Sequence, residues 1–336
     1  MVQRFEFPIP NDPRAMRQVD DRAVAALDAA LGAAMPGAGV MHGIDPRRIL
    51  TFAAGGPPVW SVAVVSQGEW HQFLTYGLSR AVDRTSPFGF ELSLRVRDAS
   101  PSPMWPMLLL RMIARYHLAS GREITPGQFI DAGAPISQAP VAPHERAAMP
   151  STRMTTVMVL PGASIPSPAG PIEVRNLFGL DPDERDLLES CRSARFIETL
   201  AQAVPGYVVA LDAPSLAANP AFRSAIEAHA AKEGSDCKAL CIPGLAWSRS
   251  EVGYTVNVPA HGTGRLRRRL ASRLPFGEGL LVHAEGGGPG TEILFVPGSG
   301  PSVSADGRMT IVLPPDAPIL AFLKDGEPVT WSFRSS

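Results

Sequence analysis

Cysteine is scarce in this chain: three in 336 residues, at Cys191, Cys237 and Cys241. An odd number in a chain this long argues against a disulfide framework. Cys237 and Cys241 have three residues between them but no second cysteine pair nearby, so reduced structural thiols are expected rather than a zinc site. Neither sign of charge is in excess, with 31 Lys+Arg against 32 Asp+Glu and a net charge of -1. A whole-protein attraction to nucleic acid or to a membrane surface is therefore not expected. Long apolar runs are also missing. The most tempting stretch, Met154 to Ile172, lacks charge but carries Pro161, Pro166, Pro168 and Pro171, and a spanning helix would not accept four prolines. The N-terminal MVQRFEFPIPNDPR has no apolar signal core, so a cytoplasmic location is expected.

The usual motifs of catalysis are missing too. Gly286 to Gly290 is glycine-rich but lacks the Lys-Ser/Thr of a phosphate loop and falls between two predicted strands. His144-Glu145 has no second histidine four residues after the first, and no G-x-S-x-G elbow occurs. His71 borders a buried strand and His117 closes a helix, positions where a histidine has structural work to do. These observations predict no catalytic residue, no metal, no cofactor and no small-molecule substrate. An enzyme of unrecognised class stays open as an alternative.

What is present suits a folded protein of two domains. Hydrophobic residues make up 45%, and the length allows two sizeable cores. Proline is plentiful, with 34 residues, which implies stiff loops and short elements. Val24, Leu27, Ala30, Leu31 and Met35 recur at helical spacing over Asp20 to Met35. Val59 to Val65 is a β-branched run that reads as a strand. Trp70 to Tyr76 is apolar on both faces, as in a strand covered on both sides. In the next strand Phe88, Phe90, Leu92, Leu94 and Val96 share one face, and Gly89, Glu91, Ser93, Arg95 and Arg97 the other. Gly89 is expected to admit a close neighbour. Glu91 and Arg95 lie about 13 Å apart along the strand and need separate partners. Pro103 to Leu118 reads as a mostly buried helix capped by Ser102, with Leu109, Met112 and Tyr116 as a stripe.

Three ordered blocks stand out in this region. They are Leu74-Thr75-Tyr76-Gly77-Leu78-Ser79, then Phe88-Gly89-Phe90-Glu91-Leu92-Ser93-Leu94-Arg95, then Trp105-Pro106 with Leu109 and Ala114-Arg115-Tyr116. At this spacing they resemble the suppressor-of-fused domain. Ser167 to Val174 resembles that family's later hairpin, with Pro171 suggesting an edge strand. Phe178-Gly179-Leu180 resembles its step into a helix. That helix opens with Asp181-Pro182-Asp183-Glu184 and is expected to run to Val204, before a strand at Tyr207 to Leu211. The resemblance implies an α+β fold: a mixed sheet flanked by helices, followed by a smaller β-rich α+β domain.

Past Ala213 the pattern changes. Asn219 caps a helix from Pro220 to about Lys232, and a glycine-containing linker follows. From Ala239 the chain is β-like at Val252–Val258, Gly279–Ala284, Glu292–Val296, Met309–Leu313 and Val329–Phe333, with a helix near Gly264 to Leu274. The expected division is a lead-in over 1–44, the suppressor-of-fused-like domain over 45–215, a helix and linker over 216–238 and a C-terminal α+β domain over 239–336. The run from Arg265 to Arg273 places Leu266, Leu270 and Leu274 on one face and arginines on the rest. It reads either as an amphipathic surface helix with a solvated face or as a site for an acidic partner or nucleic acid.

Members of the suppressor-of-fused family bind protein partners and are not known as enzymes. In animal members the connection before the second block helps to form a cleft for a peptide strand, with an acidic residue contributing. Asp83 matches that position when the loop is aligned back from Phe88. The connection here is shorter and has Pro87 where animal members have glycine, so partner identity does not carry over. Tyr76, Asp83 and Arg84 are the partner-binding residues this implies, with strand addition beside the strand ending at Tyr76 as the mode. A plain polar turn is the alternative. In bacteria such domains resemble immunity proteins of polymorphic toxin systems, and the alanine- and arginine-rich, lysine-poor composition fits a high-GC bacterium. A cognate toxin would then be the protein partner.

Overall fold

The computed structural model describes residues 29, 40–42, 61–67, 69–76, 78–79, 89–97, 104–120, 123–166, 171–285, 291–299, 302–306, 308–315, 320–321 and 323–334. Of the expected N-terminal helix only Ala29 falls within them, and it is helical. Phe88 and the Gly286–Gly290 run lie outside the described residues. The chain falls into two compact units, one of residues 2–182 and 200–215, the other of 183–199 and 216–336. The helical stretch at 183–199, assigned by sequence to the N-terminal domain, groups with the C-terminal unit instead.

The first unit is built on an eight-stranded mixed sheet in the order β1-β2-β3-β4-β7-β6-β5, with β8 also beside β4. The strands are β1 Val40–His42, β2 Ser61–Gln67, β3 Trp70–Tyr76, β4 Phe90–Arg97, β5 Phe129–Asp131, β6 Thr156–Ile165, β7 Ile172–Leu180 and β8 Val208–Ala210. β2, β3 and β4 form an antiparallel meander. β4 then pairs in parallel with β7 through Phe90–Leu94 and with β8 through Arg95–Arg97. Every residue of β3 from His71 to Tyr76 is buried, as its two apolar faces require. β4 is buried on both faces as well: Phe90, Leu92, Leu94 and Val96 on one, Glu91 and Ser93 on the other.

Helix α1, Met104–Ser120, buries Trp105, Leu109, Leu110, Ile113 and His117. That stripe follows the 3.6-residue period from Trp105. It leaves Met112 half-buried and Tyr116 42% exposed, so the stripe runs one position away from the expected Leu109–Met112–Tyr116.

Two local expectations are corrected. Pro171 does not mark an edge, because β7 lies inside the sheet between β4 and β6; the proline precedes the first paired residue, Ile172, where its missing N–H breaks no ladder bond. Gly89 serves no close approach: a Cβ there would meet nothing within 4 Å, and its φ is +58°. Its role is conformational. Close approach occurs at Gly179 instead, where a Cβ would lie 2.6 Å from Ile136 Cδ1 and 2.7 Å from Met154 Sδ.

The second unit holds helices α2, Pro182–Ser190, and most of α3, Ser193–Ala203. A single helix to Val204 was expected. The break comes at Cys191–Arg192, where the Asp236 carboxylate accepts from Ser193 N at 3.0 Å and from Ser193 Oγ at 2.7 Å. That carboxylate, 43 residues away, caps a new N-terminus. Helix α4, Pro220–Glu233, starts as expected, with Asn219 Oδ1 accepting from Ala221 N and Phe222 N. Helix α5 is Ala260–Ala271.

Two sheets complete this unit. One is antiparallel, β10 (Ala246–Ser250), β11 (Gly253–Val258) and β16 (Val329–Arg334). The other is mixed, in the order β14-β15-β13-β12-β9, with β9 Ala239–Cys241, β12 Leu280–His283, β13 Glu292–Pro297, β14 Ser302–Asp306 and β15 Arg308–Leu313. The expected strands are present, and β9, β10 and β14 are additional. β10 is exposed apart from half-buried Trp247, so it has no alternating pattern to read. Leu266, Leu270 and Leu274 are fully buried in one core with Leu280, Val282, Ile293 and Phe295.

Candidate partner-binding site

The three sequence-predicted residues fare differently. Asp83 and Arg84 lie outside the described residues. Tyr76 is 0% exposed. Its strand is no edge, since β3 is paired with β2 on one side and β4 on the other. Strand addition alongside β3, as expected from sequence, has no free ladder to use.

The end of β3 is nevertheless where the sheet opens. Pairing with β4 stops at Leu74–Ser93. Beyond it the Thr75 hydroxyl stands in for the ladder, accepting from Leu92 N at 2.8 Å. Thr75 Oγ1 in turn donates to Glu91 Oε2 at 2.7 Å. Leu78 N donates to the same oxygen at 3.3 Å. Ser79 donates twice to Oε1, from N at 2.9 Å and from Oγ at 2.7 Å. Glu91 is 0% exposed. The TYGLS-like and FGFELSLR-like blocks are thus tied together through one carboxylate at the root of the connection that carries Asp83 and Arg84.

Farther along β4 the polar face forms a second set of contacts. Gln72 Nε2 donates to Ser93 Oγ at 3.0 Å, and Arg95 Nε donates to Gln72 Oε1 at 3.2 Å. Arg95 Nη1 donates to Gly206 O at 3.0 Å. Glu91 and Arg95 therefore have separate partners, as their spacing requires. The anchoring role of Glu91 was missed in the sequence. Its signal was an acidic residue inside an otherwise apolar strand, which must find donors if both faces are covered.

The arginine helix is amphipathic, with Leu266, Leu270 and Leu274 buried, but its arginine face is paired rather than simply solvated. Arg269 is 1% exposed and pairs with Glu189 of α2, itself 2% exposed. Arg265 reaches Glu189 at 3.3 Å and Asp186 at 3.7 Å, and Arg268 reaches Asp186 at 2.6 Å. Arg267 pairs with Asp325 at 3.2 Å, and Arg273 with Glu278 at 3.0 Å. Burial pushes the Glu189 carboxyl upward, but Arg269, Arg265 and Arg185 overcome this and hold it below the ordinary carboxylate value. Burial, chiefly, lowers Arg269 against the opposing pull of Glu189, and burial with Glu189 raises the nearby Cys237 thiol. Cys191, also buried, is pushed up to about 12. The arginines join parts of this unit, so the helix has no free basic face of the kind nucleic acid requires. Among the described residues no group of three or more His, Cys, Asp or Glu could hold a metal ion. No helix among them is long and apolar enough to cross a membrane.

Inner strands β3 and β4 buried on both faces, with Glu91 held by donors from the end of β3, belong to a mixed α+β scaffold. Residues 55–212 match the family model for Suppressor of fused protein (SUFU), and the chain carries a suppressor of fused domain. Its fold is similar to that of Drosophila Suppressor of Fused, with 13% identity, 89% of each chain covered and a TM-score of 0.62. That coverage reaches well beyond the family-model match, into a C-terminal region where the sequence suggested no relative. The crystal structure of the Sufu–Fu complex covers 62% of this chain and 97% of its own at 16% identity and TM-score 0.48. A SUFU homologue from Neisseria gonorrhoeae covers 58% and 96% at 14% identity and TM-score 0.39. At those scores the last two add nothing to the assignment. No curated protein matches the sequence.

Proposed function

We propose that this chain is a non-enzymatic protein-binding module, an immunity or regulatory protein that binds a protein partner and neutralises it. The match of residues 55–212 to the suppressor of fused family carries this reading. The proposed binding residues are Tyr76 at the end of β3 and Asp83 and Arg84 in the connection that follows it in the chain. In the immunity reading the partner is a cognate toxin and both act in the cytoplasm of a bacterium. The alternative nucleic-acid role for Arg265–Arg273 is weakened by the pairing of those arginines with Asp186, Glu189, Glu278 and Asp325.

The test starts with capture of proteins on the tagged chain in its source cells, followed by their identification and purification. Isothermal titration of the purified pair should give saturable one-to-one binding. Co-expression should rescue a host from the partner's toxicity if the immunity reading holds. Binding without rescue would leave a regulatory role, and no saturable binding by any recovered protein would sink the proposal.

A further inference from the structure

Three arginines share the Glu189 carboxylate. Arg185 Nε donates to Oε1 at 2.9 Å, Arg265 Nη2 reaches both oxygens at 3.3 Å, and Arg269 Nη2 donates to Oε2. Asp186 pairs with Arg265 and Arg268. Four arginines thus meet two carboxylates. The neighbouring acids do not redress the balance. Asp325 serves Arg267 as well as Arg268, and Glu278 serves both Arg192 and Arg273. Asp236 is taken up by Ser193.

Arg269 is the innermost of these cations. Its Nη2 is spent on Glu189, while Nε and Nη1 are buried with no hydrogen-bond partner among the described residues. Unpaired donors of an enclosed cation are costly, so they call for an acceptor. Both Glu189 oxygens are already in use. Cys237 is near, but burial and Glu189 hold it as a neutral thiol, which is a weak acceptor, and its Sγ donates to Ala239 O at 3.3 Å. The Cys191 thiol is likewise kept protonated by burial.

We propose that Arg269 binds a small monovalent anion of the chloride type against Nε and Nη1. A neutral acceptor would satisfy the donors but leave the surplus of arginine charge enclosed beside Glu189. A halide has no directed lone pairs, so it can serve guanidinium nitrogens that a fixed carboxylate does not reach. The site lies among α2, α5 and the residues about Cys237, and it does not rest on the protein-binding reading.

The test is the melting of the full chain in sodium chloride and in sodium gluconate at equal ionic strength. Wild type should melt about 2–4 °C higher in chloride, since an ion that binds only the folded state stabilises it. The Glu189→Leu/Arg269→Leu double variant removes the donors without stranding a charge, and it should show no such gain. General effects of the two salts are common to both proteins. Equal wild-type melting temperatures in the two salts would overturn the proposal. A chloride gain that survives in the double variant would do so too, because the ion would then sit elsewhere. Should the double variant fail to fold, wild-type crystals soaked in sodium bromide give the location by anomalous scattering. A peak is expected beside the Arg269 guanidinium, and its absence there would overturn the assignment.

Discussion

Glu189 on α2 and Arg269 on α5, 80 residues apart, form an ion pair in which neither side chain is more than 2% exposed. It joins a helix of the family-matched block to a helix of the region beyond it, within one compact unit. Two charges so enclosed are costly to separate, because either one alone would be left desolvated without a partner.

Glu189→Ala should therefore destabilise the protein by about 3–5 kcal/mol. Replacing both partners with leucine should recover much of that loss, since an apolar pair carries no stranded charge. Urea titrations of the three proteins provide the measurement. A single variant as stable as wild type would show that the pair contributes nothing.

Acid should act through the same group. The folded-state value of Glu189 lies below its ordinary one, so its contribution is fully present above the unfolded value of about 4.3 and is lost as pH falls through the folded value. Melting curves between about pH 5 and pH 3 should fall more steeply for wild type than for the double-leucine variant. Parallel curves would place the acid sensitivity in other carboxylates.

Trp105 is 1% exposed, and Phe90 and Leu109 are 1% and 0%. Trp105→Ala should cost about 3–5 kcal/mol, as the truncation of a large core aromatic does. The lost stability should appear as a lower denaturant midpoint with an unchanged slope. A change in slope would point to an altered unfolded state instead.

Residues 183–199 group with 216–336, and Phe196 meets Phe222 edge-on at 5.7 Å. Arg195 pairs with Glu233 at 3.0 Å. A fragment of residues 1–215 should keep protected amides in β3, β4 and β7 but lose protection across α2 and the start of α3. Full protection of 183–199 in the fragment would mean that those helices do not depend on the C-terminal region.

Asp83→Ala should weaken binding of the purified partner by roughly tenfold or more, the effect of losing a charge-assisted hydrogen bond of about 1.5–3 kcal/mol. The melting temperature should hardly move, since a loop carboxylate adds little to a core. Unchanged affinity would leave the connection as an ordinary turn.

Much of this protein could be read from its residue order. Alternation from Phe90 to Val96 placed one face of β4 in the core, and Asn219-Pro220 marked a helix start, because period and capping are local properties. The three spaced blocks pointed to the family for the same reason: each is a short local pattern. The C-terminal relationship had no such blocks, and β10 had no alternation to reveal it. Other features depended on which groups met in space. Asp236 broke a helix at Ser193 from 43 residues away, and β7 became an inner strand although Pro171 precedes it. The arginines of α5 looked like a free basic face until Asp186, Glu189 and Asp325 were brought against them. Glu91 looked like one more polar residue on a strand until the end of β3 turned four donors towards it. Residue order determines local periodicity and caps, while the fate of a charge depends on partners that only the tertiary structure supplies, because Coulomb and hydrogen-bond energies follow distance in space rather than along the chain.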